Sequence, residues 1–280
     1  MKKSILIILS ICISINLVAQ KAVGSAKDLA AFLKSTTFLV TEQDDFSPYN
    51  TIMQKAMKEF WTITPYQVIS YSEFDKMKNK PQYSFIVLTT VYPDKNFDIQ
   101  YNALSVVIGA PGKRFEELPE VGSFPLTFYN QDDWQYLNKI GSILLFLQNH
   151  IRITSENKNL NQLTILNYYK KNTPSLENKT IYFTSDQLDS QVNTIEQIQK
   201  IYKGDVKIVE SSDIENIVYN RDNKAVLAHI VTSEQTTSST IKSFKYLIGA
   251  NDGKLYYIEE KNTTKDQKFL FFKSDFSNFK

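Results

Sequence analysis

Cysteine is almost missing from this 280-residue chain; the single one, Cys12, lies in an apolar amino-terminal run. A mature chain lacking that run has no thiol, which excludes disulfides, thiolate zinc sites and cysteine nucleophiles. Histidine is nearly as scarce. His150 sits near the end of a helical pattern and His229 in a strand pattern, and no H-E-x-x-H occurs, so neither a metal pair nor any other cofactor is expected. The eight glycines are scattered and build neither a phosphate loop nor a G-x-S-x-G elbow. Charge of one sign is lacking too. Lys2 and Lys3 account for the whole excess of 32 basic over 30 acidic residues, and no run of five like charges occurs. Nucleic acid and polybasic membrane contact are therefore not expected.

What is present begins with a processing signal over residues 1–19. Lys2 and Lys3 precede the apolar run Ile5–Val18, and Ala19 offers the small residue a signal peptidase needs. The run is short for a membrane span, so no integral span is expected after cleavage. Ile11 is too bulky before Cys12 for a lipoprotein box. The mature protein is expected to be exported, in the periplasm or secreted.

The remainder alternates strand and helix patterns, which predicts an α/β (α+β) fold with mixed sheets. Ser25–Lys34 reads as a short helix and Thr37–Thr41 as a strand. Ser47 and Pro48 open an amphipathic helix carrying Ile52, Met53, Ala56, Met57 and Phe60. Tyr66–Ser70 is a strand, Ser72 caps a helical turn, and Ser84–Val91 and Tyr101–Ala110 are further strands, the former central. Glu116–Phe128, which carries prolines, reads as a connection. One long helix runs from Asp132 or Asp133 to about Ile151, with Leu137, Ile140, Leu144, Leu147 and Ile151 on one stripe, and Leu163–Lys171 follows as another helix.

The unit then returns. Thr37, Thr41, Asn50, Thr51, Ile52 and Gln54 recur 143 residues later as Thr180, Thr184, Asn193, Thr194, Ile195 and Gln197. At a spacing of 140, Val68-Ile69 matches Ile208-Val209, Ser72 matches Ser212, and Ile108-Gly109-Ala110 matches Ile248-Gly249-Ala250. Two tandem strand–helix–strand–helix–strand–strand modules follow, 20–130 and 173–280, joined by linking helices over 131–172. The modules are expected to lean together as a pseudo-twofold body around the long helix.

The succession YNTIMQKAMKEFW, YQVISYSEFDKM, SFIVLTT and LSVVIGAPGK resembles the amino-terminal domain of TolB and the related modules of outer-membrane lipoproteins such as LpoB. The resemblance implies an envelope protein that binds other proteins and implies no enzymatic activity.

Asp44 and Asp45, with Tyr49 nearby, are candidate ligand residues. They lie after the first strand, where α/β sheets place ligands, although acids before a helix also stabilise its amino end. The equivalent loop of the second module, Ser185–Gln191, carries Asp186 and Asp189. Phe271, Phe272 and Phe276 belong to an aromatic carboxyl-terminal cluster that is either a last strand closing the sheet or a partner-docking patch. The expected function is non-catalytic protein–protein contact in the envelope, through a sheet edge or this cluster. The alternative is a small-ligand-binding protein or hydrolase with an inter-module cleft.

Overall fold

The computed structural model describes residues 23–91, 101–128, 131–232, 241–264 and 269–279; the expected export segment and Cys12 lie outside them. The first module contains α1 (Ala26–Phe32), β1 (Thr36–Val40), α2 (Pro48–Phe60), β2 (Tyr66–Ile69), α3 (Tyr71–Met77), β3 (Tyr83–Val91), β4 (Tyr101–Ile108) and β5 (Glu120–Phe128). Its sheet has the order β2-β1-β3-β4-β5, parallel across β2-β1-β3 and antiparallel from β3 to β5. The linking helices are α4 (Trp134–Leu137), α5 (Ile140–Glu156) and α6 (Ile165–Lys170). The second module repeats the plan as β6 (Thr180–Phe183), α7 (Ile195–Gln199), β7 (Asp205–Ile208), α8 (Ser211–Tyr219), β8 (Ala225–Val231), β9 (Ile241–Gly249) and β10 (Leu255–Thr263), and α9 (Lys273–Ser277) follows. Its sheet order, β10-β9-β8-β6-β7, is that of the first sheet strand for strand.

Local chemistry sets the helix starts. Ser25 accepts from the Asp28 amide at the head of α1. Pro48 occupies the first turn of α2, but the Ser47 hydroxyl turns back to Glu42 rather than capping the helix. Ser70, not Ser72, caps α3, in a capping box with Glu73. Glu120–Phe128 is a strand and not merely a connection. Pro125 is tolerated because β5 is an edge, where a missing amide donor breaks no inner ladder.

The α5 helix lies between the two sheets. Ile143, Leu144, Leu147 and Ile151 are fully buried, each contributing about 1.5–3 kcal/mol relative to exposure. Gln148 ties α5 to α2: its Nε2 donates to the Phe60 carbonyl at 2.9 Å, and its Oε1 accepts from the Thr62 amide at 2.8 Å. Beyond α5 the sheets touch directly, with Phe124 against Tyr246 at 4.8 Å and Tyr101 against Phe244 at 5.2 Å between ring centroids. Lys55 pairs with Glu215 at 2.7 Å and Arg221 with Glu59 at 3.0 Å, joining α2 to the α8 region.

The modules do not meet as a twofold pair. The shared core takes Tyr49, Met53, Met57 and Phe60 of α2, but Ile214 and Val218 of α8. Phe74 of α3 lies on the outer face of the first sheet, and Ile198, beside Tyr202 just after α7, lies on the outer face of the second. A twofold axis would bury the same helix of each module; here unlike faces meet, a heterologous contact. This also corrects the strand alignment. Leu39 faces the α2 side of its sheet, whereas Ile181 and Phe183 face the α7 side and Tyr182 faces α8. Leu39 therefore corresponds to Ile181 or Phe183, not to Tyr182 as the spacing of 143 has it. The spacing of 140 fails likewise at Ile108 and Ile248, which lie on non-equivalent faces. A one-residue slip in a strand exchanges its two faces. Around β2 and α3 the spacing of 140 keeps phase: Ile69 and Phe74 lie on the α3 side, as Val209 and Ile214 lie on the α8 side.

The expected single helix from Asp133 to Ile151 is broken. After α4, Lys139 adopts φ −110° and ψ 2°, its amide bonding three residues back to the Tyr136 carbonyl, and α5 begins afresh at Ile140. No proline lies at the break; Asn138 is held there by tertiary bonds to Ser211. Among the described residues, no helix is long and apolar enough to cross a membrane.

Candidate ligand cleft

The break between α4 and α5 opens onto a cleft of about 530 Å³. One wall comes from the linking helices, with Trp134, Asn138 and Lys139; the other comes from the carboxyl ends of β6 and β8, with Thr184, Asp186 and Thr232. Ligands of open α/β sheets bind at this end of the parallel strands, beside the strand from which the chain runs both ways. Here that strand is β6, with β7 on one side and β8 on the other. The volume falls in the range of about 300–1,000 Å³ usual for small-molecule sites.

Its walls are positioned in different ways. Gln187 is fixed at both ends of its amide, accepting from the Thr184 amide at 3.1 Å and donating to the Ala228 carbonyl at 3.1 Å. This sets the short 3-10 turn Ser185–Gln187 that presents Asp186. Asn138 Nδ2 donates to Ser211 O at 3.1 Å and to Ser211 Oγ at 2.9 Å. Its Oδ1 is buried and has no hydrogen-bond partner. Lys139 is 4% exposed, and its ammonium donates to the Gln135 carbonyl at 2.8 Å. Burial pushes that amine down from the ordinary 10.5 to about 8, with the Asp186 carboxylate opposing.

Within reach of the Lys139 charge lies His229, in β8. Its Nε2 meets the Pro125 carbonyl at 3.0 Å, so that nitrogen carries the proton and Nδ1, which is buried, has no partner. Burial first, and the Lys139 charge second, hold this imidazole down at about 3, so it is neutral at physiological pH. His150 is buried elsewhere on α5 with Nδ1 against the Tyr169 hydroxyl at 2.6 Å. Among the described residues, no group of three His, Cys, Asp or Glu side chains is placed to hold a metal.

The residues singled out from the sequence fall elsewhere. Asp44 and Asp45 are exposed, and Asp44 Oδ1 accepts from the Phe46 amide at 2.9 Å, closing its own turn. Asn50 holds the same loop, donating to the Asp44 carbonyl at 2.9 Å. Tyr49 is wholly buried, and burial, then the Glu42 charge, raises its phenol far above the ordinary range. It therefore packs the core instead of facing a ligand. Phe271 and Phe276 are also wholly buried: Phe271 meets Phe183 at 5.0 Å, and Phe276 meets Phe183 at 5.5 Å. They cannot form a docking patch, because α7 is too short to cover its sheet face and the tail completes the cover. The tail is not a closing strand either; it makes one isolated bridge, Phe271 to Leu188, before α9. Phe272 is partly buried, over the Lys245 ammonium at 4.7 Å.

Of the loop expected to be equivalent in the second module, Asp186 does line the cleft. Asn138 and Lys139 were hidden by helical periodicity, which carries straight through them. The one available signal was a polar Asn-Lys pair interrupting the apolar stripe.

The sequence matches no protein-family model, and neither a curated protein nor a solved structure matches it.

Proposed function

We propose that this chain is an exported small-ligand-binding protein whose ligand lies between the linking helices and the second sheet. The pair Asn138–Lys139 carries this reading. A buried amide oxygen left without a partner costs about 1–3 kcal/mol, and such a group is tolerated where another molecule satisfies it. Lys139 beside it has spent one of its three donors. The position at the carboxyl ends of β6 and β8 supports the same reading. Burial of Phe271 and Phe276 removes one of the two surfaces, the aromatic cluster, on which a protein-contact role was expected to rest.

The test is a thermal-shift and native mass-spectrometry screen against a mixed library of sugars, nucleosides, amino acids and small carboxylates. Ser211 is exposed at the cleft, and Ser211→Trp fills it, giving up the bond from Asn138 Nδ2 to Ser211 Oγ and keeping the one to the Ser211 carbonyl. Hits are expected to bind the unaltered chain and to be lost in Ser211→Trp. Hits that bind both proteins equally, or a library without hits, would refute the assignment.

A further inference from the structure

We infer that the ligand taken by this cleft is a neutral saccharide. This deepens the binding reading above and rests on it. Three features of the walls converge on that class.

The first is the pairing of hydrogen-bonding groups at the break in the helix. Asn138 Oδ1 is an acceptor without a donor, and the adjoining Lys139 ammonium is a donor with capacity left. A hydroxyl group donates and accepts at one atom, so a diol satisfies such neighbours together. An ionised carboxylate, which only accepts, would leave Asn138 Oδ1 unpaired.

The second is the charge of the walls. Among the described residues, Lys139 is the one cation of the lining, set against the carboxylates of Asp132 and Asp186. An anion entering the cleft would meet more negative than positive charge, and like-charge juxtaposition costs several kcal/mol. The acids do suit a polyol, because a carboxylate accepts from hydroxyl groups strongly.

The third is Trp134, the first residue of α4. It remains 48% exposed at the cleft, among the few large apolar side chains left so open. Its indole offers a flat face with negative quadrupole, which suits the slightly positive C–H face of a pyranose ring. Asp132 fixes this turn, its Oδ1 accepting from the Trp134 amide at 2.9 Å. An aromatic plate beside directional polar groups lets the ring stack while its hydroxyls are read at the edge.

The experiment is isothermal titration of the full mature chain with maltotriose, cellotriose, chitotriose and mannotriose at millimolar concentration, and in parallel with inorganic phosphate, citrate and succinate. At least one saccharide is expected to bind. Trp134→Ala, which removes a half-exposed side chain, is expected to weaken it by at least about tenfold with no more than a small drop in melting temperature. Trp134→Phe should recover part of the loss, and Asn138→Leu should lose binding while Trp134→Phe keeps it. Saccharide binding that is indifferent to Trp134→Ala overturns the inference. Binding of an anion but no saccharide, abolished by Ser211→Trp, overturns the saccharide class and leaves the cleft as the binding site. Binding of neither set overturns both.

Discussion

Replacing Lys139 by methionine tests the physics of the cleft apart from any ligand. The side chain is 4% exposed, and its amine falls from 10.5 to about 8 in the folded protein. Below both values the folded state holds a charged amine that the unfolded state would hold at less cost; the difference corresponds to about 3 kcal/mol. The sign follows from the lowered value of a base. Between about 8 and 10.5 the unfolded chain binds more protons than the folded one, so stability due to this group rises with pH through that window. From pH 7 to pH 9.5 the gain is about 2 kcal/mol. Lys139→Met has no such gain. Urea unfolding at a series of pH values should show the methionine variant the more stable at pH 7, with the wild type recovering about 2 kcal/mol of the gap by pH 9.5. Tyrosine ionisation, which also acts at high pH, is common to both proteins and cancels. The lost bond to the Gln135 carbonyl shifts the gap by a constant that the pH trend ignores. Two proteins whose stabilities run parallel from pH 7 to pH 9.5 would refute the reasoning, because a solvated amine is the one case that gives no trend.

Other expectations concern how the second module is closed. Lys245, 1% exposed, pairs with Asp275 at 2.9 Å and Glu259 at 3.0 Å, and Asp275 also accepts from the Tyr257 hydroxyl at 2.7 Å. Asp275→Ala leaves a buried ammonium half-paired and should cost about 3 kcal/mol in urea unfolding; a loss below about 1 kcal/mol would mean that the tail is not clamped by this pair. Phe271→Ala empties a fully buried site against Phe183 and should cost about 3–5 kcal/mol, with exposure of apolar surface seen by dye binding; an unchanged unfolding midpoint contradicts the tail's place in the core. Gly253 turns at φ +58°, and an added Cβ would lie 2.5 Å from the Phe146 amide nitrogen, so Gly253→Ala should lower the melting temperature by several degrees. Burial pushes Glu120 up to about 7 against the bond from Ser105. The stability it contributes is complete below the ordinary 4.5 and is lost as pH rises through about 7. Glu120→Gln should therefore gain about 1–2 kcal/mol over wild type at pH 8 and nothing at pH 4, the gain being reduced because the residue keeps partial exposure.

Most element positions were legible in the amino-acid order because their causes are local. Ser25, Pro48 and the apolar spacing of Met53, Met57 and Phe60 write α1 and α2 within a few residues of themselves. The repeated succession of strands and helices announced two sheets of like plan, and the two strand orders agree. The face each strand turns inward was not legible. Phe85, Ile86 and Val87 are all buried because β3 is covered on both sides, so no alternation marks one face from the other. A match by residue identity could then slip by one position, as it did at Leu39 and Tyr182, with nothing in the pattern to object.

The order of residues thus determined the doubled βα plan, the scarcity of cysteine and the near-balance of charge. Tertiary contact alone decided that unlike faces of the modules meet, that the aromatic tail is core, and that the linking helix breaks at Asn138. The reason is one of range. Capping and periodicity act between residues three or four apart, whereas the Asn138–Ser211 bonds and the α5 sandwich join residues far apart in the chain, and their energy exists only once the two sheets have come together.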